Sequence, residues 1–306
     1  MRVLFVSSAN RKGEINPVVH NQGQSLLREG IDLHFFGVSG KGITGYLGNL
    51  RSIRNKIREF RPDIVHAHYF LSGALATLAG AKPLVVSLMG SDVHGSRWQR
   101  FFSSFLARYF WDLCIVKTDR MRKALGTGSS IVIPNGVNME LFRPGDRAKA
   151  CQETGWDSSL LNVLFPSDPL RPEKNFVLAE RAVTLTGEAG IRLRILKDVP
   201  GERVVDYLNA SDSVLLTSMW EGSPNIIKEA MACNIPIVST DVGDVREIIG
   251  GTEGCFIIGK DAGEISSALL KAIKCKPTDG RKSIEHLDSR TVAARLINIY
   301  EGLIRS

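Results

Sequence analysis

The chain has 306 residues, of which 43% are hydrophobic and 23% are charged. This length corresponds to two domains at roughly 150 residues each, and the composition excludes collagen, a coiled coil and intrinsic disorder. No apolar run approaches the roughly 18 residues that cross a bilayer, so we expect neither a signal peptide nor an integral membrane segment. The five cysteines include no Cys-x-x-Cys pair, so we expect no disulfide framework or zinc site and a cytoplasmic protein.

The net charge of +7 is unevenly distributed along the chain. Residues 1–150 contain 21 Lys and Arg against 10 Asp and Glu, whereas residues 151–306 contain 18 against 22. The basic half is either an ordinary solvated surface or a surface for an anionic partner, such as a membrane or an acidic acceptor. A nucleic-acid partner is not expected, because the sequence contains no recognisable nucleic-acid-binding motif.

Two stretches of the first half favour an anionic partner. One is a short helical segment with five cations, Arg51, Arg54, Lys56, Arg58 and Arg61. The other is 97–111, where Arg97, Arg100 and Arg108 alternate with bulky aromatic side chains, as in helices that lie at a membrane interface. We therefore expect that the protein can associate peripherally with the inner face of the cell membrane.

Short apolar runs alternate with helical periodicity throughout the first half. Strands are predicted at 3–8, 32–38, 63–68, 84–89, 113–117 and 130–134. Helices are predicted at 17–29, 46–60, 71–80, 97–110 and 119–125. The strands are nearly continuous in Val, Ile and Leu, which is typical of a parallel sheet buried on both faces.

The same alternation restarts after a turn-rich segment at 134–146. Strands are predicted at 162–165, 193–196, 213–217, 235–239 and 255–258. Helices are predicted at 174–187, 201–209, 224–232, 243–249, 261–274 and 289–304. The fold class is therefore α/β. We expect two Rossmann-like parallel-sheet domains, 1–145 and 146–288, that face a central cleft. The helix 289–304 is expected to pack back on the first domain.

The segment 213–239 carries the clearest chemical signal, because it reads as strand, tight loop, helix, turn and strand. Ser223 is suited to the N-cap position and Pro224 to the first helical position. The amides of Asn225, Ile226 and Ile227 would then form an anion site suited to a diphosphate. Two carboxylates flank it, as Glu221 precedes the helix and Glu229 lies more than one turn inside it, where a carboxylate can accept hydrogen bonds from a diol.

Several runs resemble the retaining glycosyltransferases of family 4, which have the GT-B fold. The run 221–229 (EGSPNIIKE) matches the family's Glu-x7-Glu motif, and 132–138 (VIPNGVN) with 142–144 (FRP) resembles its interdomain run. The runs 63–69 (DIVHAHY) and 90–93 (GSDV) resemble its N-terminal motifs. The context of the first motif is most similar to enzymes of bacterial cell-surface polysaccharide synthesis, including the teichuronic-acid type.

The resemblance implies a role for each matching residue. Glu221 would contact hydroxyls of the donor sugar, Glu229 would hold the ribose, and the amides after Gly222 would meet the phosphates. Arg171 and Lys174 would supply cations to the leaving diphosphate. The implied reaction transfers a hexosyl or N-acetylhexosaminyl group from a UDP-sugar, bound by the second domain, to a glycan or lipid-linked glycan acceptor on the first.

Two positions depart from the family pattern. Pro169 occupies the place of a common Arg, for which Arg171 is the nearest substitute, and Met89 replaces a His that often faces the donor. These departures keep open the alternative of a nucleotide-sugar-binding protein without turnover. A second alternative is a different enzyme on the same fold, a sugar-nucleotide epimerase or a phosphorylase. The sequence contains no Asp-x-Asp motif, so we expect an enzyme that needs neither a metal nor another cofactor.

The first domain carries weaker signals at its strand ends. His66 and His68 lie two residues apart on a strand and so share a face. They could bind a metal with Asp92 or His94 as a third ligand, or line the acceptor side of the cleft, and we favour the second. Asp92 is itself either a helix cap or an acceptor contact.

Two loops each have two interpretations, and for Trp220 we favour the first. Lys12 and Gly13, in the first βα loop, either approach the donor phosphate or form an ordinary turn. Trp220, beside Glu221, either packs against its surroundings or stacks on a sugar.

Overall fold

The computed structural model describes residues 1–9, 13–40, 42–94, 97–126, 128 and 130–305. The chain divides into two compact units. The first consists of residues 1–136 together with 289–306, and the second consists of residues 137–288. Each unit contains one parallel sheet, so the predicted α/β class with two Rossmann-like domains is confirmed.

The first unit is built on a six-stranded sheet with the order β2-β1-β3-β4-β5-β6. Its strands are β1 (Arg2–Ser8), β2 (Asp32–Val38), β3 (Ile64–His68), β4 (Leu84–Ser87), β5 (Leu113–Val116) and β6 (Ser130–Val132). Every pair within this sheet is parallel. Because parallel strands need crossover connections, helices cover both faces and each face carries its own apolar core.

The helices of the first unit lie between these strands and at the end of the chain. They are α1 (Pro17–Arg28), α2 (Gly42–Leu47), α3 (Leu50–Phe60), α4 (Phe70–Leu78), α5 (Ser91–His94), α6 (Arg97–Tyr109), α7 (Asp119–Leu125) and α15 (Ser289–Arg305). None of the helices within the described ranges is both long enough and apolar enough to cross a membrane.

The C-terminal helix α15 belongs to the first unit, although the second unit precedes it in the chain. It packs beside α1, and its apolar residues Val292, Leu296 and Tyr300 join the core that covers one face of the first sheet. All three are buried, and Tyr300 is completely so. The chain therefore returns to its first unit after completing the second.

The second unit has a five-stranded sheet with the order β11-β10-β9-β7-β8. Its strands are β7 (Leu161–Phe165), β8 (Ile191–Ile195), β9 (Ser213–Leu216), β10 (Ile237–Thr240) and β11 (Phe256–Ile258). Its helices are α8 (Arg147–Thr154), α9 (Phe176–Leu185), α10 (Val204–Ala210), α11 (Asn225–Ala232), α12 (Val245–Ile249), α13 (Ala262–Lys274) and α14 (Gly280–Ser283). Short 3-10 turns lie at Pro172–Lys174, Gly201–Arg203 and Glu285–Leu287.

The boundary between the units lies at residue 136 rather than at the predicted residue 145. The turn-rich segment after Gly136 is not a free linker, because Val137, Met139 and Phe142 are buried in the core of the second unit. The Arg281 guanidinium also donates to the carbonyl oxygens of Met139 and Phe142, each at 2.7 Å. Apolar side chains within a run of turn-forming residues decide to which unit this segment belongs.

The helices also differ from the prediction, and the short helices α5 and α14 were not predicted. The predicted helix 46–60 is two helices, α2 and α3, and the Asn49 side chain between them donates to the carbonyl oxygens of Gly45 and Ser39, each at 2.8 Å. Helix α8 was not predicted, because it buries only Ala150 and Cys151 and so shows no apolar stripe.

Candidate functional site

Three loops of the second unit leave the same edge of its sheet. They follow β7, β9 and β10, which are neighbours in the strand order, and a parallel sheet binds its ligands at the carboxyl ends of such strands. The middle loop, residues 217–224, is bonded to both of the others. Thr217 Oγ1 donates to the carbonyl oxygen of Lys174 at 3.0 Å, and Thr240 Oγ1, in the last residue of β10, donates to that of Ser218 at 2.7 Å. The middle loop is therefore fixed from two sides.

Lys174 and Glu221 form an ion pair within this group of loops. Lys174 Nζ lies 2.5 Å from Glu221 Oε1, and their side chains are only 13% and 14% exposed. The Ser218 hydroxyl donates to the same oxygen at 2.6 Å. Both contacts use Oε1, so neither occupies the second carboxylate oxygen, which can accept a further hydrogen bond, and the ammonium can donate more than one.

The second predicted cation, Arg171, has a different partner. Its guanidinium bonds to Glu173 Oε1, with Nε at 2.8 Å and the terminal nitrogen at 2.6 Å, and its side chain is 54% exposed. Lys174 thus contacts Glu221 directly, whereas Arg171 lies at the surface and pairs with Glu173.

The start of α11 differs from the sequence prediction. The helix begins at Asn225 with Pro224 as its N-cap residue, so the assignment of Ser223 as the N-cap was wrong. The Ser223 hydroxyl instead donates to Asp244 Oδ2 at 2.6 Å. The Ile227 amide donates to the Pro224 carbonyl at 3.2 Å, so this predicted amide is used within the turn and is not directed at an anion.

The loop after β10 packs directly on the loop after β9. Gly243 has a φ of +57°, and a Cβ added there would lie 2.5 Å from the carbonyl oxygen of Gly222. Only glycine allows both this left-handed conformation and this close approach. The position of the Gly222 turn therefore depends on a glycine in the neighbouring loop.

Glu229 lies on α11, eight residues after Glu221. Its side chain is partly buried, and the loss of water around the carboxyl raises its pKa to about 7, while the charge of Lys228 acts in the opposite direction. Near neutral pH the carboxyl is thus divided between its protonated and ionised forms, and only the ionised form is a strong acceptor for two hydroxyls.

At the carboxyl edge of the first sheet, Asp92 holds two backbone segments together. Its Oδ1 accepts from the Phe70 amide at 3.0 Å and its Oδ2 accepts from the Met89 amide at 2.8 Å. Burial raises the pKa of this carboxyl, and the backbone hydrogen bonds oppose the shift. Because Phe70 is the first residue of α4, the observed geometry is that of a helix cap, the first of the two predicted alternatives.

Tyr69, which immediately precedes α4, has a strained backbone conformation. Its φ of 72° and ψ of 154° lie in a region that almost only glycine adopts. The Tyr69 amide donates to the Ser87 carbonyl at 2.9 Å, and the bond from Phe70 to Asp92 fixes the next peptide. Such strain costs about 1–3 kcal/mol and is concentrated at functional sites.

His66 and His68 do not line an open surface, in contrast to the prediction. Both rings are fully buried and are stacked with their centroids 4.3 Å apart. His66 bonds through Nδ1 to the Tyr300 hydroxyl at 2.5 Å and through Nε2 to the Ser87 hydroxyl at 2.8 Å. Burial, together with the charge of Lys117, lowers the pKa of both imidazoles, so they are neutral. The pair therefore lies inside the unit and does not contact an acceptor in this conformation.

The remaining predicted positions carry less information. Gly13 is exposed with a φ of +81°, as in a turn, and Lys12 lies outside the described residues. Trp220 is 49% exposed, so only part of its surface is packed. In the part of the chain that the structure describes, no group of three or more His, Cys, Asp and Glu side chains is arranged to hold a metal ion; the side chain of His94 is not described.

Sequence reasoning missed three polar residues that shape the site. Ser218, Lys228 and Asp244 all bond to residues of the predicted motif or to its turn. A signal for Asp244 was available, because it follows β10 at the carboxyl edge, where the loops of neighbouring strands meet. No sequence signal indicated that Lys228, in the middle of an amphipathic helix, points back to the turn.

Models of two glycosyltransferase families match the chain. Residues 10–141 match Glycosyltransferase Family 4, and residues 172–275 match Glycosyl transferases group 1. The two matches lie one in each half of the chain and together cover about three quarters of it. The chain therefore belongs to the family-4 type of glycosyltransferases, as its Glu221 to Glu229 motif indicated.

Curated relatives are bacterial proteins of the same kind. One is named as a teichuronic acid biosynthesis glycosyltransferase, TuaC of Bacillus subtilis, and is 28% identical over 249 residues, covering 71% of this chain and 62% of the relative. Another is the D-inositol 3-phosphate glycosyltransferase 2 of Catenulispora acidiphila, 25% identical over 285 residues, covering 73% of this chain and 66% of the relative. The matched region thus spans slightly less than two thirds of these relatives' own length.

Solved structures share the fold over the whole chain. The sucrose-phosphate synthase of Thermosynechococcus elongatus superposes with a TM-score of 0.84 at 14% identity, covering 99% of each chain. HepE of Anabaena, in complex with UDP and glucose, superposes with a TM-score of 0.75 at 17% identity, covering 99% of this chain and 100% of the other. The fold is that of the GT-B glycosyltransferases.

The close approach of Gly243 to Gly222 gives a direct test of this geometry. If the turn receives the diphosphate of a UDP-sugar, as the sequence predicts, Gly243→Ala should displace the Gly222 turn and weaken UDP binding on the order of tenfold, measured by calorimetry. The matched control is Gly251→Ala, because Gly251 also has a positive φ of +79° but no heavy atom within 4 Å of the added Cβ. Both variants should lose about 1–2 kcal/mol of stability, because alanine is unfavourable in the left-handed conformation. Equal UDP affinity in the two variants would therefore contradict the assignment of the turn.

Proposed function

We propose that this protein is a retaining glycosyltransferase that transfers a hexosyl or N-acetylhexosaminyl group from a UDP-sugar to a glycan or lipid-linked glycan acceptor in surface polysaccharide synthesis. The observation that carries the proposal is the Lys174–Glu221 ion pair beside the start of α11 at the carboxyl edge of the second sheet. Membership of the family-4 type and the names of the curated relatives support it.

The chemistry required of the site is mainly electrostatic. As the bond between the sugar and the diphosphate breaks, positive charge develops on the sugar and negative charge on the leaving phosphate. In the proposal, Lys174 and the amides of Asn225 and Ile226 stabilise the negative charge, and Arg171 adds a second cation at the surface. These groups would supply the charge for which Asp-x-Asp enzymes use a metal ion, so we propose that neither a metal nor another cofactor is needed.

The two motif carboxylates are assigned to different parts of the donor. Glu221 would accept a sugar hydroxyl on Oε2, because Lys174 and Ser218 both bond to Oε1. Glu229 would hold the ribose diol, and Gly222, Ser223 and Pro224 would form the turn that faces the diphosphate. The acceptor is assigned to the carboxyl edge of the first sheet, where Asp92 acts by holding the backbone rather than by contacting the substrate.

Release of UDP from a panel of UDP-hexoses tests the function. The wild-type protein should release UDP faster when a glycan or lipid-linked acceptor is present, and Lys174→Met should lower kcat on the order of 100-fold. The control is Lys82→Met. Lys82 pairs with Asp112 at 3.1 Å and lies just before β4, at the amino edge of the first sheet.

The outcomes separate the alternatives. UDP binding without turnover for any acceptor would favour a nucleotide-sugar-binding protein, and a changed sugar nucleotide without consumption of acceptor would indicate an epimerase. Turnover that depends on phosphate would indicate a phosphorylase. An absence of UDP binding by calorimetry would contradict all of the nucleotide-based functions.

The pKa of Glu229 predicts how donor binding depends on pH. Affinity for UDP-glucose, whose diphosphate does not titrate near neutrality, should rise roughly tenfold as the pH increases through about 7 and the carboxyl becomes the stronger, charged acceptor. In the free protein the same ionisation disfavours folding, so the free energy of unfolding should fall as the pH rises from the ordinary pKa of 4.5 to about 7. Glu229→Gln should abolish the pH dependence of both the affinity and the free energy of unfolding. If the affinity of this variant still depends on pH, the ribose is wrongly placed.

We also propose that helix α6 associates with an anionic membrane surface. One face of α6 is aromatic and exposed, and its residues follow helical spacing: Trp98, Phe101, Phe102, Phe105 and Tyr109. The opposite face is buried through the small residues Ser103 and Ala107. Exposed Arg97 and Arg108 on the same helix supply charges that anionic lipid headgroups would attract. Such contact would bring the protein to a lipid-linked acceptor.

Sedimentation with vesicles tests this surface. The protein should pellet with vesicles of phosphatidylcholine and phosphatidylglycerol, less with phosphatidylcholine alone, and less again at high salt. Phe101→Ser with Phe105→Ser should abolish pelleting, whereas Val177→Ser, an exposed apolar residue of α9 that is 73% exposed, should not. If both variants pellet equally, α6 is not the surface that contacts the membrane.

A further inference from the structure

A buried lysine lies behind the turn that precedes α11. Lys228 is completely buried, although it immediately precedes Glu229 on a helix with an open side. Its Nζ bonds to Ser223 Oγ at 2.6 Å, and Ser223 Oγ bonds to Asp244 Oδ2 at 2.6 Å. The ammonium and the carboxylate themselves are 3.8 Å apart. The hydroxyl of Ser223 therefore bridges two buried charges.

The chemistry of the three groups fixes the direction of these hydrogen bonds. An ammonium can only donate, so Lys228 donates to Ser223 Oγ, and the hydroxyl proton is then directed to the Asp244 carboxylate. Loss of any member would change the orientation of the hydroxyl. The three side chains consequently act as a unit, the Lys228–Ser223–Asp244 bridge.

The bridge is a costly way to stabilise a fold. Burial lowers the pKa of Lys228 and raises that of Asp244, and each charge opposes the effect of burial on the other. Asp244 Oδ1 is buried and has no hydrogen-bond partner among the described residues. Replacing such a pair by uncharged residues of similar volume is often neutral or stabilising, so stability alone does not account for this arrangement.

The bridge instead ties together two loops of the candidate site. Ser223 belongs to the turn after β9, Asp244 belongs to the loop after β10, and Lys228 lies one helical turn into α11. The same two loops are in contact at Gly222 and Gly243. The bridge thus joins the turn before α11 both to the loop after β10 and to the first turns of α11.

We propose that Lys228 is a positioning residue for the donor: acting through Ser223 and Asp244, it holds the Gly222–Pro224 turn and the first amides of α11 in the arrangement that receives the diphosphate. This inference rests on the proposed function, because it assumes that the turn receives a nucleotide sugar. Lys228 itself is buried and does not contact the donor.

The charge of Lys228 also acts on its neighbour. It opposes the effect of burial on the pKa of Glu229. Two other titratable side chains act within this cluster: the charge of Glu229 adds to the effect of burial in raising the pKa of Cys233, and the charge of Glu247 adds to the effect of burial in raising the pKa of Asp244. Removal of Lys228 should therefore raise the pH at which Glu229 ionises, an effect that a purely structural lysine far from the site would not have.

Comparison of single and double variants separates positioning from stability. Lys228→Met leaves Asp244 as an uncompensated buried charge, so its free energy of unfolding should fall. Lys228→Met with Asp244→Asn removes both charges and should recover most of that stability. We expect the double variant nevertheless to bind UDP-glucose on the order of tenfold more weakly, with its pH midpoint above that of the wild type and with faster amide exchange at residues 222–226.

The matched control is Lys276→Met. Lys276 is also a largely buried lysine beside a carboxylate, Asp212 at 3.7 Å, but Asp212 precedes β9 and so lies at the opposite edge of the sheet. This variant should lose stability while keeping the wild-type UDP-glucose affinity and pH midpoint. A double variant with wild-type affinity, midpoint and exchange would overturn the proposal. If the wild type does not bind UDP-glucose, the proposed function fails. Amide exchange at residues 222–226 then still tests the positioning role: faster exchange in the double variant supports it, and unchanged exchange contradicts it.

Discussion

Because β9 pairs in parallel with β7 on one side and with β10 on the other, the segments that leave these three strands start at one edge of the sheet. Each segment contributes a different kind of group. The turn after β7 contributes Lys174, the loop after β9 contributes Glu221 and Ser223, and the loop after β10 contributes Asp244. The candidate site depends on this pairing, since residues that are distant in the sequence meet only at that edge.

The charges at this edge are arranged in two pairs. Lys174 and Glu221 are partly exposed and can exchange contacts with a ligand, whereas Lys228 and Asp244 are buried and bridged by a hydroxyl. The first pair has the chemistry to contact a substrate, and the second has the geometry to hold the turn on which the substrate would rest. A low-dielectric surrounding makes such fixed charges more effective than they are in water.

The first unit uses buried polar groups in a different way. His66 links the central strand β3 to Tyr300 of the C-terminal helix, and Asp92 fixes the strained peptide after Tyr69. These contacts stabilise the carboxyl edge of the first sheet rather than exposing polar groups on it. The bond from His66 to Tyr300 and the apolar core around it also hold the last helix, α15, in the first unit despite its distance in the sequence.

The amino-acid sequence alone determined the α/β class, the two parallel sheets and most of their strands, because alternating apolar runs and helical periodicity are local properties of the chain. It also located the motif from Glu221 to Glu229, whose proline and glycine mark a strand-to-helix turn. It placed the unit boundary at residue 145 instead of 136, because a run of turn formers concealed Val137, Met139 and Phe142, which are buried in the second unit.

Only the tertiary structure decided which side chains meet. The hydroxyl of Ser223 bonds to Asp244 instead of capping α11, and His66 of β3 bonds to Tyr300 of a helix more than two hundred residues away in the chain. Hydrogen bonds of this kind depend on strand order and on the approach of neighbouring loops, and neither is encoded in a local pattern. Periodicity therefore predicted the elements, whereas packing at the sheet edges determined the partners.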